Sequence, residues 1–301
     1  MTDSAVMGPV FIVGSPRSGT TILVEALTAA GYAGFKEGNF LSLLRTVERH
    51  VDWHFETYGS TNKHVLTTHI DREKLKSDLY AVIGSAAASR YPGHMWLDKT
   101  GNPEMIEAIP ILRTIWPNSR FIFSKRRAIE NILSRLTKFP NLNFEYHCND
   151  WAANMIAWSR MKAAMPDLPA LDVDQRDIAD APQQTATRVC RFLGLGESAT
   201  VAMTSVFTTQ SPQQTDASSA RRVVSLPATG WNEDQIKTFR RHCAEQMTRD
   251  GYTEDESYRV PPSGMATPPL PAPAPAPTEF RIAARWQETL SRLVTIPLKS
   301  R

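Results

Sequence analysis

Cysteine is scarce in this sequence. Only Cys148, Cys190 and Cys243 occur in 301 residues, and no two of them form a Cys-x-x-Cys pair. An odd, widely spaced set of this kind argues against a disulfide framework and against a zinc site. It predicts a reducing environment, which we take to be the cytoplasm.

The chain also lacks a large excess of either charge and any long apolar run. Its 34 basic and 31 acidic residues leave a net charge of +3, which argues against a nucleic-acid partner. No apolar run approaches the roughly 20 residues of a membrane helix, and residues 1–8 lack the basic and apolar regions of a signal peptide. We therefore expect a soluble cytoplasmic protein without a transmembrane segment, whose ligand needs only a local basic cluster.

Segments typical of strands and helices alternate along most of the chain. Residues 10–13 are apolar and mostly β-branched, as in a buried parallel strand, and residues 20–30 have apolar side chains at helical spacing before Gly31. Further strands are predicted at 95–97, 120–124 and 170–173. Further helices are predicted at 71–89, 104–115, 127–136, 151–165, 183–193 and 233–250. This order predicts an α/β fold, a P-loop-type parallel sheet flanked by helices.

Two regions depart from this alternation. Residues 40–92 are rich in histidine and aromatic residues, and we interpret them as a helical insertion that lines an acceptor site. Residues 261–277 are dominated by proline and alanine, which favours extended polyproline II, and an amphipathic helix is predicted after them. The chain is thus divided into a domain at 1–255, a Pro/Ala-rich linker at 256–279 and a C-terminal helix segment at 280–301.

The C-terminal part has two predicted properties. Because an uncharged Pro/Ala linker cannot bury enough surface to fold by itself, we expect residues 259–301 to be dispensable for cofactor binding. The helix within 280–293 is a candidate for docking on its own chain or on a second copy, as in a homo-oligomer.

The segment between the first strand and the first helix carries the clearest chemical signal. Residues 14–21 read Gly-Ser-Pro-Arg-Ser-Gly-Thr-Thr, and the Gly-x4-Gly spacing is that of a phosphate-binding loop. Backbone N–H groups and the positive end of the helix converge on one anion in such loops. A Walker loop needs Lys after its second Gly. Here that residue is Thr20, and the only cation is Arg17, which argues against a nucleoside triphosphatase.

This loop resembles the 5′-phosphosulfate loop of sulfotransferases that use 3′-phosphoadenosine-5′-phosphosulfate (PAPS), in particular those of the bacterial, carbohydrate and tyrosylprotein type. The run Pro-Arg-Ser-Gly-Thr-Thr after an apolar strand carries the resemblance. It implies that Arg17 contacts the bridging and sulfuryl oxygens of PAPS. It also implies that the 5′-phosphate is held by Ser18, Gly19, Thr20 and Thr21.

A second element resembles the 3′-phosphate site of the same family. That site has an Arg at a strand end and a Ser eight residues later, the separation of Arg126 and Ser134. Such an Arg provides a charge-assisted fork for phosphate. The family commonly has Arg-Asn-Pro or Arg-Asp-Pro here, whereas this chain has a second arginine, Arg127, followed by Ala. When Thr229-Gly230-Trp231 is matched to the family, Arg221 falls near the position of a further basic residue that binds the 3′-phosphate. Arg221 is therefore a candidate ligand of the cofactor.

The resemblance also implies catalytic groups. Residues 98–100, Asp-Lys-Thr, resemble a family segment whose Lys lies near the active site, so Lys99 is a candidate for stabilising the leaving phosphate. Glu37 stands where carbohydrate and tyrosylprotein sulfotransferases commonly have Glu, and it is the candidate general base. His69 is the alternative base. Sulfuryl transfer needs a base for the acceptor proton and cations for the departing phosphate, and it requires no metal.

Together these patterns predict a PAPS-dependent sulfotransferase. The predicted reaction transfers a sulfuryl group from PAPS to a hydroxyl of a small-molecule or carbohydrate acceptor, with PAP as the product and no metal cofactor. Two alternatives remain at this point. One is an atypical P-loop kinase using ATP, and the other is a non-catalytic nucleotide-binding scaffold.

Overall fold

The computed structural model describes residues 8–39, 42–59, 63–209 and 223–260. All of them belong to one compact unit. Arg221, most of the predicted linker and the predicted C-terminal helix lie outside the described residues.

The described residues form a five-stranded parallel sheet with the order β2-β3-β1-β4-β5. The strands are β1 (Val10–Val13), β2 (Ala33–Phe35), β3 (Trp96–Lys99), β4 (Arg120–Lys125) and β5 (Ala170–Asp174). The central strand β1 is buried along its whole length, as its uninterrupted apolar sequence predicts for a strand covered on both faces. The predicted α/β fold is confirmed.

Helices connect these strands and cover both faces of the sheet. They are α1 (Thr20–Ala29), α2 (Ser42–Tyr58), α3 (Arg72–Ala88), α4 (Pro103–Glu107), α5 (Ile109–Ile115), α6 (Ala128–Lys138), α7 (Phe144–Ala164), α8 (Gln175–Asp180), α9 (Pro182–Leu193), α10 (Glu197–Thr209), α11 (Glu233–Phe239) and α12 (Glu245–Arg249). A π-helical turn, Arg240–Ala244, joins the last two, and short 3₁₀ turns occupy Leu66–Thr68 and Leu226–Thr229. The core has two parts, because Phe11 and Val13 face one apolar cluster while Val10 and Ile12 face the other.

Some boundaries differ from those that the sequence pattern predicts. The helix α7 begins at Phe144 instead of residue 151, because the side chain of Asn143 caps it by accepting a hydrogen bond from the backbone N–H of Tyr146. The segment predicted as one helix over residues 104–115 is divided into α4 and α5 at Ala108, two residues before Pro110, whose missing N–H interrupts a continuous helix.

The region between β2 and β3 contains the predicted helical insertion, formed by α2 and α3. Asp52 on α2 joins the two helices through ion pairs with Lys76 at 2.6 Å and with Arg72 at 3.2 Å on α3. None of the helices in the described part of the chain is both long and apolar enough to span a bilayer.

The segment after α12 packs against the end of β5. The carboxylate of Asp174 accepts hydrogen bonds from the hydroxyls of Tyr252 and Tyr258 and pairs with the guanidinium of Arg259. Asp174 is 1% exposed and Tyr258 is 7% exposed. The folded core therefore continues past residue 255, where we placed the end of the first domain.

These contacts move the expected limit of dispensable residues from 259 to 261. A chain ending at Val260 is expected to keep its fold and its cofactor affinity. Removing Arg259 leaves the buried Asp174 without its cationic partner, so Arg259→Ala should lower the free energy of unfolding by about 1–3 kcal/mol. Urea unfolding of the two variants would test this, and an equal loss of stability in both would contradict it.

Candidate active site

The loop between β1 and α1 is built around two glycines with positive φ. Gly14 has a φ of 136° and Gly19 a φ of 93°. Space also excludes a side chain at the first position, because a Cβ on Gly14 would lie 2.1 Å from the carbonyl oxygen of Ser124 on β4. Gly19 precedes α1, whose N-terminus has no side-chain cap among the described residues. The first N–H groups of α1 are therefore available to an anion held in front of the loop.

One face of α6 braces this loop from behind. The side-chain amide of Asn131 donates to the carbonyl oxygen of Pro16 at 2.9 Å and to the hydroxyl of Ser18 at 3.0 Å. A guanidinium nitrogen of Arg135 donates to the hydroxyl of Ser15 at 3.1 Å. Asn131 and Arg135 are one helical turn apart and share a face, so α6 fixes the position of the loop.

Our sequence interpretation did not single out these two bracing residues. Asn131 lies at helical spacing from Ser134, which it precedes by three residues, and Arg135 lies four residues after Asn131. Helical spacing around a predicted phosphate-binding serine is the signal that would have found Asn131, because residues three apart on a helix face the same way.

Three of the predicted ligand-binding residues meet at the loop. Arg17 has a φ of 70°, and its Nε donates to the hydroxyl of Ser134 at 3.0 Å. The guanidinium of Arg126 donates to the carbonyl oxygen of Arg17 at 3.3 Å. Burial and the neighbouring charge of Arg126 lower the pKa of Arg17. The two positive charges repel each other beside an uncapped helix N-terminus. An anion bound between them would reduce this repulsion, so the arrangement favours anion binding.

Arg126 and Arg127 are adjacent in sequence but have different roles. Arg127 is fully buried and forms a bidentate ion pair with Glu130. Its remaining N–H groups donate to backbone carbonyls, those of Val224, Thr253 and Asp255. Arg126 is 7% exposed, burial lowers its pKa, and its Nε has no partner among the described residues. Arg127 therefore holds the segments around residues 224 and 253–255 against α6, while Arg126 retains an N–H group that can donate to a ligand.

The predicted base and the predicted catalytic lysine form an ion pair. Pairing of β2 with β3 places Phe35 opposite Asp98, so the chain reaches the carboxyl end of the sheet just before Glu37. There Lys99 donates through its Nζ to Oε1 of Glu37. The side chain of Lys99 is 8% exposed and that of Glu37 is 67% exposed. A buried ammonium thus holds a carboxylate that faces solvent.

The end of β3 also adjoins the phosphate-binding loop. The backbone N–H of Thr100 donates to the carbonyl oxygen of Ile12 at 3.2 Å. A Cβ on Gly101 would lie 3.1 Å from the carbonyl oxygen of Gly14. The Glu37–Lys99 pair and the loop therefore lie at the same edge of the sheet, where parallel α/β proteins bind their ligands.

The alternative base, His69, is engaged elsewhere. Its Nε2 lies 2.7 Å from the carbonyl oxygen of Lys63, in its own loop. Of the residues predicted to bind the cofactor, Ser18 and Thr20 are buried in the loop, and Gly19 and Thr21 are half-buried beside them. Arg221 lies outside the described residues.

A parallel sheet with a glycine-containing loop after its central strand is a P-loop-type fold of the kind that binds nucleotides, and Arg17 in place of a Walker lysine separates it from the nucleoside triphosphatases. A family model described as "Sulfotransferase family" matches residues 9–198. That match covers more than half of the chain, so the protein belongs to the sulfotransferase family. It is an enzyme of sulfuryl transfer, and the alternatives of an ATP-dependent kinase and a non-catalytic scaffold are set aside.

The chain is similar to several solved structures. The sulfotransferase domain of the olefin synthase from Synechococcus PCC 7002 is 20% identical, with a TM-score of 0.50 over 78% of this chain and 94% of that one. A sulfotransferase from Mycobacterium avium is 12% identical, with a TM-score of 0.48 over 82% and 77%. A mouse sulfotransferase complexed with PAP is 13% identical, with a TM-score of 0.47 over 80% and 84%. No curated protein matches the chain in sequence.

Proposed function

We propose that this enzyme transfers the sulfuryl group of PAPS to a hydroxyl of a small-molecule or carbohydrate acceptor and releases PAP. The observation that carries the proposal is the unpartnered Nε of Arg126 beside Arg17 and the loop. A loop and a single arginine would suffice for one phosphate. A second buried guanidinium with a donor to spare suits a nucleotide that has a further phosphate, as PAPS has at its 3′ position.

The site residues divide the chemistry between them. The acceptor oxygen forms a bond to sulfur while the bond between sulfur and the 5′-phosphate oxygen breaks. Glu37 takes the acceptor proton, and its exposure leaves it open to an incoming hydroxyl. The electron pair of the broken bond stays on the phosphate oxygen, where Arg17, Lys99 and the N-terminus of α1 stabilise the added charge.

Lys99 has a further part in this scheme. In the structure its ammonium is bound to Glu37. An ammonium shared between the base and the leaving phosphate holds these two groups close to each other, which helps to orient the acceptor for transfer. Because Lys99 is buried, its position is set by the sheet and not by solvent.

Incubation of the enzyme with PAPS and a metabolite extract tests the overall reaction. We expect mass spectrometry to find one or more hydroxylated compounds that gain SO₃ only when PAPS is present. The same extract treated with the Glu37→Gln protein is the control. A gain of SO₃ from PAPS that does not need the enzyme would contradict the proposal.

The two-anion site makes a quantitative prediction about binding. Arg126→Ala is expected to weaken PAP by about 1.5–3 kcal/mol, the contribution of a charged hydrogen bond, while the affinity for AMP changes much less. Calorimetry without added metal measures both. Lys125→Ala is the matched control, because Lys125 pairs with Asp172 at 3.4 Å and removing it takes away an adjacent positive charge. PAP binding no tighter than that of AMP to the unmodified enzyme would exclude a 3′-phosphate site.

A further inference from the structure

Asp98 is a buried carboxylate that neither the fold nor the proposed chemistry explains. It is 0% exposed in β3, next to Lys99. Its Oδ2 accepts a hydrogen bond from the hydroxyl of Thr100 at 3.0 Å. Its Oδ1 forms no hydrogen bond of good geometry within the described ranges, although the backbone amide of Gly38 lies close enough to favour the charged carboxylate. A buried carboxylate with an incomplete set of partners lowers stability, so its presence beside a candidate active site points to a functional role.

The segment that carries Glu37 lies directly on this carboxyl group. A Cβ on Gly38 would come within 1.6 Å of Oδ1 of Asp98, so only glycine fits there without displacing the carboxyl group. The backbone N–H of Asn39 donates to the hydroxyl of Thr100 at 3.2 Å. Since the oxygen of that hydroxyl accepts the hydrogen bond from Asn39, its own hydrogen is free to donate to Oδ2 of Asp98. The chain of donors ends on the carboxylate.

We propose that Asp98 and Thr100 are positioning residues that hold residues 37–39 in place, so that Glu37 faces the acceptor. Asp98 accepts the hydrogen bond that Thr100 donates, and the oriented hydroxyl of Thr100 in turn accepts the hydrogen bond from the backbone N–H of Asn39. Both side chains are buried, so we assign them positioning roles without contact with the reacting atoms. The effect on turnover rests on the proposed role of Glu37, whereas the effect on residues 37–39 does not.

The same group makes the hold depend on pH. Burial raises the pKa of Asp98 to about 7, and the charge of Glu37 adds to this effect. The hydroxyl of Thr100, the charge of Lys99 and the backbone amide of Gly38 oppose it. The carboxylate, which is the better acceptor for Thr100 and for the Gly38 amide, is present above pH 7 and is lost as the pH falls through that value. Residues 37–39 should therefore be held firmly above about pH 7 and more loosely below it.

The stability of the whole protein should change with pH in the opposite direction to the order of residues 37–39. The pKa of Asp98 in the folded state lies above its ordinary value of 3.8, so the folded protein binds the proton more tightly than the unfolded chain does. The stabilisation is complete at low pH and is lost as the pH rises through 7. Asp98→Asn, which removes the charge, should therefore raise the melting temperature more at pH 8 than at pH 5. The enzyme retains at neutral pH a carboxylate that weakens its fold and strengthens one loop.

Hydrogen exchange of the full-length enzyme tests the hold directly. After correction for the intrinsic rate, we expect protection of residues 37–39 to rise about 2- to 12-fold as the pH increases through 7, the contribution of one hydrogen bond. In Asp98→Asn, which has the same shape but no titration, protection should be low and independent of pH. A wild-type protection that does not change with pH, or an unchanged profile in Asp98→Asn, would overturn the proposal.

A matched pair at Thr100 provides a second test if Asp98→Asn fails to fold. Thr100→Val removes the hydroxyl and keeps the shape, so the protection of residues 37–39 should be lost at every pH. Thr100→Ser keeps the hydroxyl and should restore the wild-type profile. Equal protection in the Val and Ser variants would mean that Thr100 only fills space, which contradicts the proposal.

The pH profile of turnover separates this inference from the assignment of Glu37. With the acceptor found by mass spectrometry, the wild-type rate should fall as the pH drops through 7, and Asp98→Asn should have a low rate without that limb. If Glu37→Gln retains its turnover while the exchange results hold, Glu37 is not the base and the positioning of residues 37–39 stands. If the exchange results fail, the positioning is wrong whatever the outcome for Glu37.

Discussion

Glu37→Gln is expected to lower turnover about 10²–10⁴-fold, the usual loss when a general base is removed. Glutamine keeps the shape of the side chain and its hydrogen bond with Lys99, but it cannot accept the proton of the acceptor hydroxyl. The affinity for PAP should be nearly unchanged, because Arg17 and Arg126 bind the nucleotide. Initial rates with PAPS and an identified acceptor, together with calorimetry of PAP binding, measure the two quantities.

The control for this experiment is Glu245→Gln. Glu245 is an exposed carboxylate that pairs with Arg249 at 2.8 Å on α12, and its loss should leave the rate unchanged. An acceptor must be present, since slow hydrolysis of PAPS by water need not use the same base. Retention of more than about a tenth of the wild-type turnover, a smaller loss than a general base causes, would rule out Glu37. His69→Gln would then be the next variant.

Arg17→Ala is expected to impair both binding and turnover. The side chain is proposed to contact oxygens that are charged in the bound substrate and to stabilise the charge that develops on the leaving phosphate. Loss of the first contact should weaken PAP by about 1.5–3 kcal/mol. Loss of the second should lower turnover at saturating PAPS by about 10²–10³, as removal of one donor to a developing anion does.

Two observations separate these contributions. Arg113→Ala removes a positive charge on α5, where Arg113 is bound to the carbonyl oxygen of Pro117, and it should change neither quantity. If Arg17→Ala weakens PAP binding while the rate at saturating PAPS is kept, Arg17 acts only on the ground state. Its assignment to the leaving phosphate would then be wrong.

The parts of the fold that the sequence predicts are those with a strong local pattern. The strand β1 is an uninterrupted apolar run, and α9 ends at the predicted residue, Leu193, before Gly194 with its φ of 72°. The strand β2 escaped prediction because it has three residues, Ala33–Phe35, and is only half-buried. So short a segment has no periodicity to detect, and its pairing with β3 depends on the whole sheet.

The candidate site shows the same division. Arg17, Arg126 and Ser134 could be proposed from the resemblance of two short motifs. The resemblance did not predict that Arg17 donates to Ser134, because this contact follows from the pairing of β1 with β4 and the placement of α6. Asp98 could not be identified, since only the structure shows that one of its oxygens is buried without a well-formed hydrogen bond in the described residues. Burial of a polar group is a property of packing and not of spacing.

The bracing of the loop by α6 has a consequence for synthesis on the ribosome. The loop at residues 14–21 leaves the ribosome early, but its contacts with Asn131, Ser134 and Arg135 span 113 to 120 residues of sequence. The chain emerges from the ribosome with its N-terminus first. A nascent chain that stops before α6 therefore has the loop without the side chains that support it. The ability to bind the nucleotide should therefore arise late in translation, after β4 has paired with β1 and α6 has packed against the loop.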